Sequence, residues 1–270
     1  MNDLKIELPA RVRESNKGTY GKVLIIAGSK EICGAAILAA NSAFRSGCGM
    51  VKVITHENNR TPLMMAIPEC MVRTYGDKIS KKKIAEDFEW SDCVLIGPGI
   101  GKDDLACKLV KYVLDKYKKP IVIDADGLNI IANNLDWLKE CKNNNIIITP
   151  HVAEMSRLCH ISVDSLLDNR KQISVDFARD FNVVVVCKDY ITVVTNPNGE
   201  IYINEKGNSG LAKAGSGDVL AGLIISLVAQ KMKMFEASCV GCSLHGLSAE
   251  RAAEHIGEAA IMPSDLWRFY

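Results

Sequence analysis

The segment Ala214-Gly215-Ser216-Gly217-Asp218 stands immediately before the apolar run 219–229 and holds the residue types best suited to chemistry. Glycines at a helix start let backbone N–H groups come close to an anion, and the helix dipole favours negative charge there. Asp218 taken alone is accounted for as an acid that complements the dipole in a first turn. The glycines that flank it through 208–217 are not accounted for in that way. An aspartate beside an anion cradle suits a general base that takes the proton from a hydroxyl attacking a terminal phosphoryl group. Gly215, Ser216 and Gly217 would then form the anion hole that stabilises the charge in transit. Phosphoryl transfer is the reaction class these residues support.

Four other loops carry similar residue types, each at the end of a β-branched run. Residues 94–96 lead into Gly97-Pro98-Gly99-Ile100-Gly101, 121–123 into Asp124-Ala125-Asp126-Gly127, 146–148 into Thr149-Pro150-His151, and 183–186 into Cys187-Lys188-Asp189. In open α/β sheets ligands bind past the carboxyl ends of the strands. One such loop is explained by glycine and proline ending strands and aspartate capping helices; four together favour a site. Two common nucleotide loops are absent. A P-loop at Gly101-Lys102 would need glycine at Ile96 and Ser or Thr at Asp103, and one at Gly21-Lys22 would need them at Asn16 and Val23. A dinucleotide fingerprint from Gly97 fails because its third glycine comes one residue early, at Gly101.

The elements that position these loops alternate. Strands are expected at 22–27, 50–54, 93–96, 120–124, 146–149, 183–187, 190–195 and 200–204, and helices near 34–46, 103–117, 153–158, 169–181, 217–230 and 237–255. Short apolar strands interleaved with helices make a parallel sheet covered on both faces. Only Lys188-Asp189 separates the two strands before the Asn196–Gly199 turn, too little for a crossover helix, so they are expected to pair as a hairpin. The expected fold class is α/β: a three-layer α/β/α domain spanning 1–270, its mostly parallel central sheet ending in an antiparallel edge hairpin.

Composition narrows the function. In 270 residues, 33 Lys and Arg against 32 Asp and Glu leave a net charge of +1, so the basic excess of a nucleic-acid or acidic-membrane binder is missing. Lys81-Lys82-Lys83 reads as a solvated helix start. The longest apolar run, 219–229, is roughly half of what a bilayer needs. Residues 1–17 carry Asp3, Glu7 and Glu14 and no apolar stretch of signal-peptide length, so a soluble, cytoplasmic chain is expected. The 10 cysteines are scattered; the one CxxC, Cys239 to Cys242, falls in an expected helix with no histidine at ligand spacing and reads as buried free thiols. His56, His160, His245 and His255 show no metal spacing and receive no role.

With these motifs in hand, the chain resembles the ribokinase-like superfamily, and within it the ADP- or ATP-dependent NAD(P)H-hydrate dehydratases, which repair hydrated nicotinamide cofactors. The resemblance runs through 17–29, 34–40, 97–101, 124–129, 149–154 and 207–222, in that order, and covers nearly the whole chain. It implies that Asp218 contacts the hydrated ring and is the base, and that Gly217 lies beside the adenine nucleotide. Lys188, Asp189, Tyr190, Ile191 and Thr192 would line the nucleotide's other side. Ala35, Gly99 and His151 would touch the hydrated dinucleotide, and Glu154 would organise Mg²⁺ through water. His151 taken by itself is as readily a helix cap. Departures from the family pattern are Ala214 where Gly is common, Ser216 where Thr is, and Gly127 where Ala is. The resemblance also implies ADP or ATP as co-substrate, with ADP favoured, and a homo-tetramer. Only about twenty residues precede the first strand, so the related epimerase is expected as a separate protein. One rival is a kinase of the same fold acting on a vitamin-precursor alcohol of hydroxyethylthiazole or hydroxymethylpyrimidine type. Another is a nucleotide-binding regulator without catalysis, against which Asp218 and Glu154 both argue. The roles of Asp124 and Asp126 are open at this point.

Overall fold

The computed structural model describes residues 8–270, so the expectation of no signal segment across the first seven residues lies outside it. The chain runs β1 (Lys22–Ile26), α1 (Gly34–Arg45), β2 (Met50–His56), α2 (Arg60–Ala66), β3 (Met71–Tyr75), α3 (Lys81–Trp90), β4 (Cys93–Ile96) and α4 (Asp104–Lys116). It continues with β5 (Ile121–Ile123), α5 (Asp126–Ala132), α6 (Asp136–Glu140), β6 (Ile146–Ile148), α7 (Val152–Cys159) and α8 (Val163–Phe181). The last elements are β7 (Val184–Cys187), β8 (Thr192–Thr195), β9 (Ile201–Asn204), α9 (Ser216–Ala229) and α10 (Met234–Ile256). The nine strands of the described residues form one sheet in the order β3-β2-β1-β4-β5-β6-β7-β8-β9. Strands β1 to β7 pair in parallel, and β8 and β9 are antiparallel to their neighbours.

Strand alternation divides the core in two. Val23, Ile25, Leu95, Val122 and Ile147 face α1, α9 and α10. Leu24, Ile26, Ile96, Ile123 and Ile148 face α3 to α8 on the other side. Helix α9 is apolar nearly all round because it is buried between the sheet, α1 and α10. This is the expected three-layer arrangement. Among the described residues no helix is long and apolar enough to cross a membrane.

Several boundaries differ from expectation. Strand β8 begins at Thr192, not 190, because Lys188 N–H donates to the Pro150 carbonyl (2.7 Å) and Lys188 bridges His151, prolonging the parallel register past β7. Tyr190 is left 83% exposed in the connection, which is therefore longer than two residues. Helix α8 begins at Val163, and the expected start at Asn169 is instead a kink within it (φ −134°, ψ 28°). Strand β3 and helices α2, α5 and α6 are additional, and α3 was expected only as a helix start at Lys81. The strand is an edge element whose Arg73 reaches Asp87 on α3, so its sequence shows no apolar run.

The chain reverses direction across the sheet at β1, which lies between β2 and β4. Crevices open at such switch points past the strand ends. Here the loops after β1 and β4 touch, Gly28 N–H donating to the Pro98 carbonyl at 2.8 Å.

Candidate active site

The turn into α9 is made at Gly215, whose φ of +98° is a left-handed conformation that glycine adopts without strain. A side chain there would also meet Leu38 Cδ1 of α1 at 2.4 Å. Ala214 needs no such backbone, so the departure from glycine there is tolerated. Ser216, Gly217 and Asp218 form the first turn, where helix N–H groups lack intrahelical partners. Among the described residues, the Gly217 and Asp218 N–H groups donate to no other protein group. The first turn of α9 thus presents unpaired N–H donors at Gly217 and Asp218, while Ser216 N–H is taken by the Lys213 carbonyl at 3.2 Å.

Opposite this turn lies a charged cluster supplied by three strand ends. Asp124, past β5 and 1% exposed, accepts from Lys188 Nζ at 2.9 Å and from Thr149 Oγ1 at 2.7 Å, the same carboxylate oxygen taking both. Lys188 Nζ lies only 3.2 Å from where a Cβ on Gly217 would stand, so a side chain there would have to displace the ammonium by a few tenths of an ångström. Burial, then Asp124, pushes the Asp218 carboxyl up to about 7, against the pull of Lys188. Burial alone would lower Lys188, but Asp124, Glu154 and Asp218 outweigh it and hold the ammonium above the usual lysine value. Glu154 is raised by burial. A carboxyl whose ordinary value of 3.8 is moved close to neutrality is poised to exchange a proton at physiological pH.

Asp126 is directed elsewhere. Ala125 between the two aspartates sits at φ +49°, ψ −120°, a strained conformation for a residue with a Cβ. This turn sends Asp124 toward Lys188 and Asp126 toward the glycine loop, where it accepts from Gly101 N–H at 3.0 Å. Asp124 and Asp126 were the residues whose roles the sequence left open. The strain at Ala125 carries no sequence signal, since alanine is unremarkable there. Gly127, at the first turn of α5, lets that helix lie against Gly97, whose Cα is 3.2 Å from a would-be Cβ.

The remaining candidates fall into two groups. Lys188, Asp189, Tyr190, Ile191 and Thr192 all line a cleft of about 1020 Å³, together with His151, Asn208 and His245. Within it Asp189 is held by Arg170 of α8. Ala35 and Gly99 meet one another at the switch point, a Cβ on Gly99 being 3.1 Å from that of Ala35. His151 takes the capping position of α7: its Nδ1 accepts from Ala153 N–H at 3.1 Å, while Glu154 Oε2 accepts from the His151 N–H at 2.9 Å. Burial, then Lys188, lowers its ring, so it is neutral near pH 7. His151 and Glu154 thus carry a structural duty in the same place where the resemblance gives them a functional one. Cys239 and Cys242 lie buried on α10, belong to no group of three metal-binding side chains among the described residues, and have thiols raised by burial.

A family model described as NAD(P)H-hydrate dehydratase matches residues 23–269. The chain belongs to the NAD(P)H-hydrate dehydratase family. It is 37% identical to the ADP-dependent (S)-NAD(P)H-hydrate dehydratase of Neisseria meningitidis, over 96% of this chain and 88% of that protein. It is 35% identical to the bifunctional NAD(P)H-hydrate repair enzyme Nnr of Escherichia coli, over 96% of this chain and 48% of that protein. The dehydratase-family chain thus spans about half the length of the bifunctional relatives it matches. Its structure superposes on the ADP/ATP-dependent NAD(P)H-hydrate dehydratase of Bacillus subtilis co-crystallised with ATP/Mg²⁺, with a TM-score of 0.84 and 30% identity, covering 97% of this chain and 91% of that one. Fold and family therefore agree with the resemblance read from the motifs.

Proposed function

We propose that this protein dehydrates the S epimer of hydrated NADH or NADPH, with ADP as phosphoryl donor and ATP as the alternative. The observation that carries this reading is the Asp218 carboxyl near pH 7 on the same helical turn as the free N–H groups of the cradle. In this reading the cleft at 188–192 takes the adenine nucleotide, and the switch point at Ala35 and Gly99 takes the hydrated dinucleotide. His151, which lines the cleft, contacts the same substrate.

Hydroxide is a poor leaving group and phosphate a good one, which gives a kinase-like site a use in a dehydration. Asp218 removes the proton from the ring hydroxyl as that oxygen attacks the terminal phosphoryl group. The Gly215–Gly217 donors and Lys188 stabilise the charge on the phosphoryl oxygens. The ring nitrogen's lone pair then expels phosphate with the former hydroxyl oxygen, breaking the ring C–O bond. The neighbouring ring carbon loses a proton and the double bond is restored. The products are the reduced cofactor, inorganic phosphate and AMP, or ADP where ATP is the donor.

Among the described residues no three metal-binding side chains converge into a cage. Mg²⁺ is ordinarily held by one or two carboxylates together with substrate phosphates and water. In this reading Glu154, a buried acid beside Lys188, would hold Mg²⁺ through water. When bound, Mg²⁺ would neutralise charge on the nucleotide phosphates.

The same reading takes the protein as a cytoplasmic homo-tetramer that works with an epimerase activity supplying the S epimer. Light scattering of the purified chain tests the assembly. The function is tested by incubating prepared NADH-hydrate and Mg²⁺ with ADP or ATP in parallel. Return of the reduced-nicotinamide absorbance with either nucleotide is the expected result. No return with both, while vitamin-precursor alcohols are phosphorylated, would replace this reading with that of a kinase.

A further inference from the structure

His245 lies in the middle of α10, 7% exposed, and has no part in the chemistry above. Burial drives its ring down to about 4, so it is neutral in the physiological range. Burying an imidazole costs free energy unless its polar atoms are paired. Its Nε2 lies 3.1 Å from the Ser216 carbonyl oxygen and 3.4 Å from Ser216 Oγ. A carbonyl oxygen only accepts, so Nε2 carries the ring proton. The Ser216 hydroxyl therefore faces a donor and cannot give its own hydrogen to the ring. Among the described residues that hydroxyl has no other protein partner, which leaves its hydrogen free beside a ring that itself lines the cleft.

The surroundings hold the ring where it is. A Cβ on the next residue, Gly246, would stand 2.4 Å from the Lys206 carbonyl oxygen, so α10 is pressed onto a loop that lines the same cleft. His245 itself lines that cleft.

We propose that His245 is a positioning residue of the phosphoryl-transfer site: its Nε2–H anchors the Ser216 carbonyl at the start of α9 and keeps the Ser216 hydroxyl turned outward as a donor to the transferring phosphoryl group. The proposal rests on the dehydratase reading and extends it to a residue outside the motif.

The test uses H245L, H245Q, S216A and the S216A/H245L pair, each assayed on NADH-hydrate with Mg²⁺ and nucleotide. Gln places an N–H donor close to the position of Nε2, and Leu does not. The expected results are a fall in kcat of about tenfold or more in H245L, the size of one hydrogen bond to a charged group, with the hydrate KM within twofold. H245Q should recover most of the rate, and H245L should add little in the S216A background. An unchanged kcat in H245L, a Gln variant no better than Leu, or full additivity with S216A would each overturn the proposal. Nucleotide binding separates failure here from failure of the dehydratase reading. If the wild type is inactive on the hydrate, that reading falls. The proposal then stands or falls on whether the preference for ADP over AMP shrinks in H245L and is kept in H245Q.

Discussion

Replacing Asp218 by Asn should abolish the base and at the same time stabilise the fold, in a pH-dependent way. The native carboxyl sits near 7 and the unfolded one near 3.8, chiefly through burial and the neighbouring Asp124. Between those values the native state holds a proton that the unfolded chain has lost. Native stability therefore falls as pH rises from about 4 to 7, and the full penalty is present above 7. Roughly three units at ~1.4 kcal/mol each set a ceiling of about 4 kcal/mol. Relaxation and water entry beside an open cleft reduce that to about 2 kcal/mol. Asn does not titrate and has nearly the same shape, so D218N escapes the penalty. Calorimetric melting at pH 8 should show Tm raised by about 4–8 °C in D218N. At pH 5 the gain should be smaller than at pH 8. A variant no more stable than wild type at pH 8, or a gain that grows toward pH 5, would refute the assignment of Asp218 as a buried carboxyl under strain.

Three further substitutions probe the neighbouring parts. Lys188→Met removes a positive charge that lowers Asp218 and strands the buried Asp124; the acidic limb of the kcat/KM profile should move upward in pH, and chemical denaturation should show a loss of about 3–5 kcal/mol. Gly217→Ala puts a methyl group 3.2 Å from Lys188 Nζ; kcat should fall more than tenfold in the absorbance assay, with Tm within a few degrees of wild type. Gly99→Ala places a Cβ 2.8 Å from Ile32 and 3.1 Å from Ala35, in a position with φ +61°; steady-state kinetics should show a raised KM for the hydrate with the nucleotide KM unchanged.

The layered fold was legible because β5 and β6 are uninterrupted isoleucine- and valine-rich runs, a pattern that only a sheet covered on both faces demands. The edge was less so. Strand β3 buries little and spends Arg73 on an ion pair with Asp87, so nothing periodic marks it. The length of the Lys188 connection depends on a backbone bond to Pro150, a long-range contact that local spacing does not encode. At the site, the cradle glycines and Asp218 were visible as a cluster of types. Asp124 was visible as a residue but not as the partner of Lys188, since sixty-four positions separate them and only the sheet order brings β5 and β7 within one strand of each other. His245 gave no motif at all; its meaning comes from its contacts with the Ser216 carbonyl and hydroxyl.

The most direct test of the central claim follows both products of one reaction. Wild-type protein, Mg²⁺, nucleotide and NADH-hydrate should yield NADH and inorganic phosphate at equal rates, with both lost together in D218N. A stable phosphate ester accumulating without NADH, or NADH formation that persists undiminished in D218N, would contradict a dehydration driven by phosphoryl transfer through Asp218.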